Sequence, residues 1–141
     1  MSVRGSQSFS KLVNDFAKQA PHMARLVTNK SVLDLFSKVV MDTPVDKGHL
    51  RGNWQVSIGS PDNSEIEGVD KGGQETISRA NRVLFDDQTS HPVYIQNNVP
   101  YAEKIEYGGS PVKAPRGMLR RNLTLMNTYI RNAISELKGG K

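Results

Sequence analysis

The stretch TPVDKGHLRGNW, Thr43 to Trp54, decides how the chain is organised, because an apolar helical pattern stops at its start and a strand pattern begins at its end. Pro44 lacks a backbone donor and biases Thr43 toward extended geometry, so the helix upstream ends near Met41. Gly48 suits a tight turn, and Trp54 opens a strict alternation. The stretch also gathers Asp46, Lys47, His49 and Arg51, so it reads either as a charged site or as architecture.

Upstream, Phe9, Leu12, Val13, Phe16 and Ala17 recur at helical spacing behind Ser8 as an N-cap. Pro21 interrupts the pattern. Met23, Leu26, Val27, Leu33, Phe36, Val39 and Val40 restore it, as a kinked continuation or a new helix. Downstream, Trp54, Val56 and Ile58 alternate with Asn53, Gln55 and Ser57, the pattern of a half-buried strand. Residues 59–73 are rich in turn formers and read as a loop, mobile or ordered only by a neighbour, with a short edge strand at Ser64 to Val69. Ile77, Ala80 and Leu84 then share a helical face, and PVYIQNNV supplies a second strand. Tyr101 to Tyr107 forms one helical turn stopped at Gly108-Gly109.

From Met118 to Leu137 the helical pattern returns as one element. Leu119, Leu123, Met126, Ile130, Ala133 and Leu137 form a core stripe within about 40° of one line. Met118, Leu125 and Tyr129 widen that stripe on one flank, while Arg120, Arg131 and Lys138 stack on the other. The wide apolar arc suggests a second packing partner, and in a chain this short another subunit is the natural one. The element order implies an α+β fold: a small mixed or antiparallel sheet flanked by a long N-terminal helical segment, a middle helix and a C-terminal helix. Two strands are few for a sheet, so Ser64 to Val69 and Pro111 to Ala114 are expected to add edges. One domain spans 1–141, with 1–8 and 138–141 as flexible tails.

The chain has no cysteine, which excludes disulfides, thiolate nucleophiles and Cys-based metal sites. No window reaches the length of a membrane span and no signal core opens the chain, so a soluble protein made in the cytoplasm is expected. The formal charge is +5, and the excess belongs to the C-terminal segment, where Lys113, Arg116, Arg120, Arg121, Arg131, Lys138 and Lys141 face only Glu136. A solvated helix face is the plain reading, and contact with a polyanion the sharper one.

Enzyme motifs are missing. DKGGQETIS lacks the lysine and hydroxyl of a phosphate loop, and neither GxSxG nor HExxH occurs. The glycines before Gln74 could present amides to an anion, but a plain turn is the stronger reading. His22, His49 and His91 share no ligand spacing beyond Asp46 with His49, where Asp46 suits capping backbone amides and His49 suits solvent. Asp86-Asp87 and Glu103-Glu106 have no apolar wall or second partner to separate their pKa values, and for Glu103 and Glu106 a helical solvent face or an ion pair with Lys104 or a neighbouring arginine is the stronger reading. Neither catalysis, a cofactor nor a metal is expected.

Three segments together resemble a known family. TPVDKGHLRGNWQV is similar to a TPVDTGxLRxSW pattern, VYIQNNVPYAEKIEYGGS to (V/I)xNxxPYAxxxEyG, and APRGMLRRNL to APxGMvR. These patterns belong, in this order, to the tail-component proteins of long-tailed bacteriophages, the small neck and tail-completion proteins of the head-to-tail junction. The resemblance covers about residues 9 to 138, and the departures are Lys47 in place of Thr and His49 at a variable position. It carries Thr43, Pro44, Asp46, Gly48, Leu50, Arg51 and Trp54 in the first motif. Asn98, Pro100, Tyr101, Ala102, Glu106, Tyr107 and Gly108 match the second, and Pro115, Gly117, Met118 and Arg120 the third.

The resemblance implies a non-enzymatic virion protein that forms a ring of roughly six or twelve copies between head connector and tail. Its expected partners are itself and the neighbouring connector, tail-terminator and tail-tube proteins, with DNA crossing the lumen, non-specific contact at most, and no membrane. In physical terms Trp54 and Tyr101 fill core volume and Arg51 pairs with Glu106 across the motifs. Leu125, Tyr129, Arg121 and Arg131 are the candidate contacts to a subunit or to DNA. The competing readings are a nucleic-acid-binding accessory protein using the basic C-terminal helix and, formally, a small hydrolase using Glu103, Glu106 and His91.

Overall fold

The computed structural model describes residues 23–86, 92–108, 114 and 116–139. The expected helix over Phe9 to Ala17, the edge segment at 111–113, Pro115, His22 and His91 lie outside them. Helix α1 (Ala24–Asp42) buries Val27, Val32, Leu35, Phe36, Val39 and Val40. Its Thr28, Ser31 and Ser37 hydroxyls bond to carbonyls four residues back, so polar residues are tolerated without breaking the helix. It ends where Pro44 requires, with Thr43 extended at φ −74° and ψ 128°.

The turn expected after Pro44 contains a short helix, α2 (His49–Gly52). Gly48 enters it at φ +97°, a left-handed conformation that favours glycine. Its carbonyl accepts from Gly52 N at 3.0 Å and Asp70 N at 2.9 Å, and a Cβ there would come within 2.8 Å of Lys71 N. Strand β1 (Trp54–Ile58) then pairs antiparallel with β2 (Val93–Asn97), in register from Trp54 opposite Asn97 to Ile58 opposite Val93. Helix α3 (Gln74–Asp86) packs on β1 and α1 through Ala80 and Leu84. A short α4 (Ala102–Glu106) follows β2.

The C-terminal pattern, read as one helix, is two: α5 (Leu119–Leu123) and α6 (Met126–Gly139). The interruption falls where polar side chains bind nearby carbonyls: Asn122 Nδ2 donates to Met118 O at 2.8 Å and Thr124 Oγ1 to Arg121 O at 2.7 Å. The core stripe survives the break, since Leu119, Met126, Ile130 and Ala133 are buried and Leu123 and Leu137 pack on the core. The architecture is α+β: α1 and α6 form a helical layer, and α3 packs between α1 and β1 of the two-stranded sheet.

Residues 59–73 depart from expectation in two ways. Ser64 to Val69 is not a strand, and the loop is tied down by its own chain. Asn53 bonds Ile66 in both directions, accepting its N–H at 2.6 Å and donating to its carbonyl at 2.9 Å. Gln55 and Asn98 donate to Ser64 O at 2.7 and 2.8 Å, Asn98 also to Asp62 O, and Gln96 Oε1 accepts from Asp62 N at 2.8 Å. Four side-chain amides thus replace the backbone ladder of a third strand. They cover the sheet face that alternation assigned to solvent, so Gln55 and Gln96 are buried.

Candidate functional site

Each matched segment contributes buried polar chemistry, and the tertiary fold decides its partners. In the first, Thr43 Oγ1 donates to Val39 O and accepts from Trp54 Nε1, both at 2.7 Å. Trp54 is fully buried and locks the end of α1 to the start of β1. Arg51 spans the same junction, donating from one terminal nitrogen to Met41 O and Thr43 O and from the other to Lys71 O at 2.7 Å. A cation on the last carbonyls of α1 also suits the negative end of the helix dipole.

In the second and third segments the centre is Glu106, a glutamate with no exposed surface. Its Oε1 accepts from Met118 N and Leu119 N at 2.9 Å, and its Oε2 from Arg120 N and Arg120 Nε at 3.0 Å. The carboxylate therefore caps the first amides of α5 and pairs with Arg120, whose guanidinium lies 4.4 Å over the Tyr107 ring. Gly117, at φ +88°, is required twice over, because a Cβ there would overlap the Glu106 carboxylate.

These contacts correct four expectations. Arg51 and Glu106 do not pair with each other: Arg51 caps α1 and Glu106 binds Arg120. Tyr101 does not fill core volume but is 47% exposed. His49 keeps 29% of its side chain in solvent but is not free there, since Nδ1 contacts Gly68 O and Nε2 contacts Glu65, both at 2.7 Å. Both contacts are to acceptors, so both ring nitrogens donate in the charged form, and the bond to Glu65 followed by that to Gly68 raises the His49 pKa.

Capping falls to Asp70, while Asp46 is exposed. Asp70 accepts from Gly73 N, Thr76 N and Thr76 Oγ1 at the start of α3. Burial alone would raise its carboxyl, but the bonds from Thr76 and Gly73 and the Arg79 charge outweigh that and lower its pKa. The anion at the glycines before Gln74 is thus the chain's own.

Matched residues also line two concavities. Pro44, Asp46, Gly48, Leu50 and Tyr101 border a groove of about 360 Å³ with Lys47, His49 and Ile105. A second cleft of about 490 Å³ is lined by Lys38, Arg116, Arg120, Arg121, Asn122, Thr124 and Leu125. Beneath it, Asp42 accepts from Asn122 at 2.9 Å and Lys38 at 3.1 Å, with Arg121 at 3.7 Å. Burial opposes ionisation of Asp42, but these bonds and charges prevail and its pKa is lowered.

Of the residues expected to reach a partner, Leu125 is 42% exposed and Arg121 and Arg131 are exposed. Tyr129 packs on the core and Met118 is fully buried, so most of the wide apolar arc is covered within the chain. Pro100 and Gly108 are exposed turn residues, Ala102 is buried and Asn98 holds the loop. No cluster of three or more metal-ligating side chains occurs among the described residues, and no helix among them is long and apolar enough to cross a membrane.

The loop-holding amides were the residues that sequence reasoning missed. Gln55 and Gln96 lie within the two strands and Asn53 and Asn98 flank them, and this amide-rich sheet edge beside a turn-rich segment was the available signal. No family model, curated protein or solved structure matches the chain.

Proposed function

We propose that this chain is a structural virion protein of the phage neck or tail-completion type, one subunit of a ring joining the head connector to the tail around the DNA channel. The observation that carries the reading is the coupling of the second and third matched segments. Glu106, Gly117, Met118 and Arg120 all match the family patterns, and they form one buried carboxylate site. The resembling residues thus form a working unit of the fold, and the glycine, the carboxylate and the arginine each have a physical need for the other two.

The test is made on particles produced by the source strain. The chain is expected in purified virions at a small integer copy number, and deletion of its gene should leave filled heads and separate tails. Absence of the chain from particles, or normal particles after deletion, overturns the reading. The cationic cleft favours a second reading, a nucleic-acid-binding accessory protein. Micromolar or tighter binding to duplex DNA at physiological salt, with a steep salt slope lost on Arg121→Ala and Arg131→Ala, would favour that reading.

A further inference from the structure

A closed ring of more than two copies needs a heterologous contact, in which two different surfaces of one chain fit each other. The chain carries two such surfaces. The first is the loop from Pro61 to Asp70, which holds Asp62, Glu65, Glu67 and Asp70 and no lysine or arginine. Internal hydrogen bonds hold its shape, so presenting it to a partner costs little ordering entropy. Within it Val69 is the most exposed large apolar side chain among the described residues, at 63%.

The second is the cleft bordered by Lys38, Arg116, Arg120 and Arg121, with Leu125 at its rim. Four cations stand there over two bound carboxylates, Asp42 and Glu106, leaving an excess of positive charge. Arg120 and Arg121 keep more than two fifths of their side-chain surface in solvent, and Arg116 is exposed with no ion pair among the described residues. None of the ion pairs among the described residues joins the loop to the cleft. On the loop Glu65 pairs with His49, while Asp62 and Glu67 have no ion pair among the described residues, and the cleft keeps Arg116 and an excess of positive charge for a partner.

We propose that copies of this chain join head to tail, with the acidic loop of one copy seated in the basic cleft of the next and Val69 set against Leu125. This rests on the ring reading above and names its contact. The fit combines opposite charge at a solvated rim with a small apolar centre, which sets register and orientation more than raw affinity. Asp62 and Glu67 are the exposed loop carboxylates with no ion pair among the described residues, and Arg116 and Arg121 are the cations that meet them.

The absence of cysteine makes the test direct. Full-length Val69→Cys and Thr124→Cys variants, both at exposed positions, are mixed and treated with a short bis-maleimide. A cross-linked dimer is expected from the mixture and not from either variant alone, and a chain carrying both cysteines should give a ladder. Adding Glu67→Lys to the Val69→Cys partner should lower the yield about tenfold, and Arg121→Glu on the other partner should restore it.

No dimer from the mixture overturns the inference, as does a yield indifferent to the charge changes. So does equal cross-linking by either variant alone, and so does capture of duplex DNA by the cleft in place of the partner. The particle experiment is independent: a chain present in virions that does not cross-link retains the ring reading and loses this contact.

Discussion

The α1–α6 layer and the 59–73 loop are ordered by opposite means. The helices are held by apolar burial, with Val27, Phe36, Val39, Ile130 and Ala133 all fully inaccessible. The loop has only Ile66 and Val69 as sizeable apolar residues, and side-chain amides and one histidine hold it to the sheet and α2. The helical layer draws its stability from many interchangeable contacts of small individual worth. The loop depends on a few directional bonds, so its order can be removed one side chain at a time.

The largest effect is expected in the helical layer. Phe36→Ala leaves a cavity in the core and should cost about 4 kcal/mol, shifting the urea midpoint for the whole chain. A loss confined to one segment would break the comparison. Next comes Glu106→Ala, which strips the amides of Met118, Leu119 and Arg120 of their acceptor and should cost about 3 kcal/mol. Arg120→Ala should cost less, because Arg120 is partly solvated and the carboxylate keeps its three backbone donors.

Asn53→Ala should act locally, costing about 2 kcal/mol and speeding amide exchange at Asp62 and Ile66 while α1 remains protected. Equal acceleration in α1 would mean that loop and helices form one cooperative unit.

The smallest effect is a pH response of the same loop. The folded-state pKa of His49 is raised above the ordinary 6.5, so its bonds to Glu65 and Gly68 contribute fully below that value and are lost as pH rises through the folded-state pKa. Asp46, Lys47 and Tyr101 share the groove with it but form no bond to the ring among the described residues. Exchange near Gly68 should quicken on the alkaline side, and His49→Gln should flatten that dependence. A loop equally protected at both ends of the range would remove His49 as its latch.

Much of this architecture was readable along the chain. The stop at Pro44, the glycine turn at Gly48, the alternation from Trp54 and the stripe from Leu119 to Leu137 each report how a residue's neighbours are buried, and that is set within a few positions by helical or strand period. The stripe still concealed a break, because Asn122 and Thr124 act through hydrogen bonds that leave the apolar period unchanged.

Partner choice followed another rule. Arg51 and Glu106 were both marked as charges that must be satisfied, but which group satisfies each depends on where elements meet. Arg51 reaches carbonyls 8 to 20 positions away and Glu106 amides 12 to 14 away. Tyr101 and Trp54 look alike as aromatic motif residues, yet one faces a groove and the other has no exposed surface. The 59–73 loop appears free on composition alone, since its own residues cannot form a core, and it is ordered because the pleat directs Gln55 and Gln96 toward it, with Asn53 and Asn98 beside them. Periodicity decides which residues turn inward, and only packed elements decide what they find there.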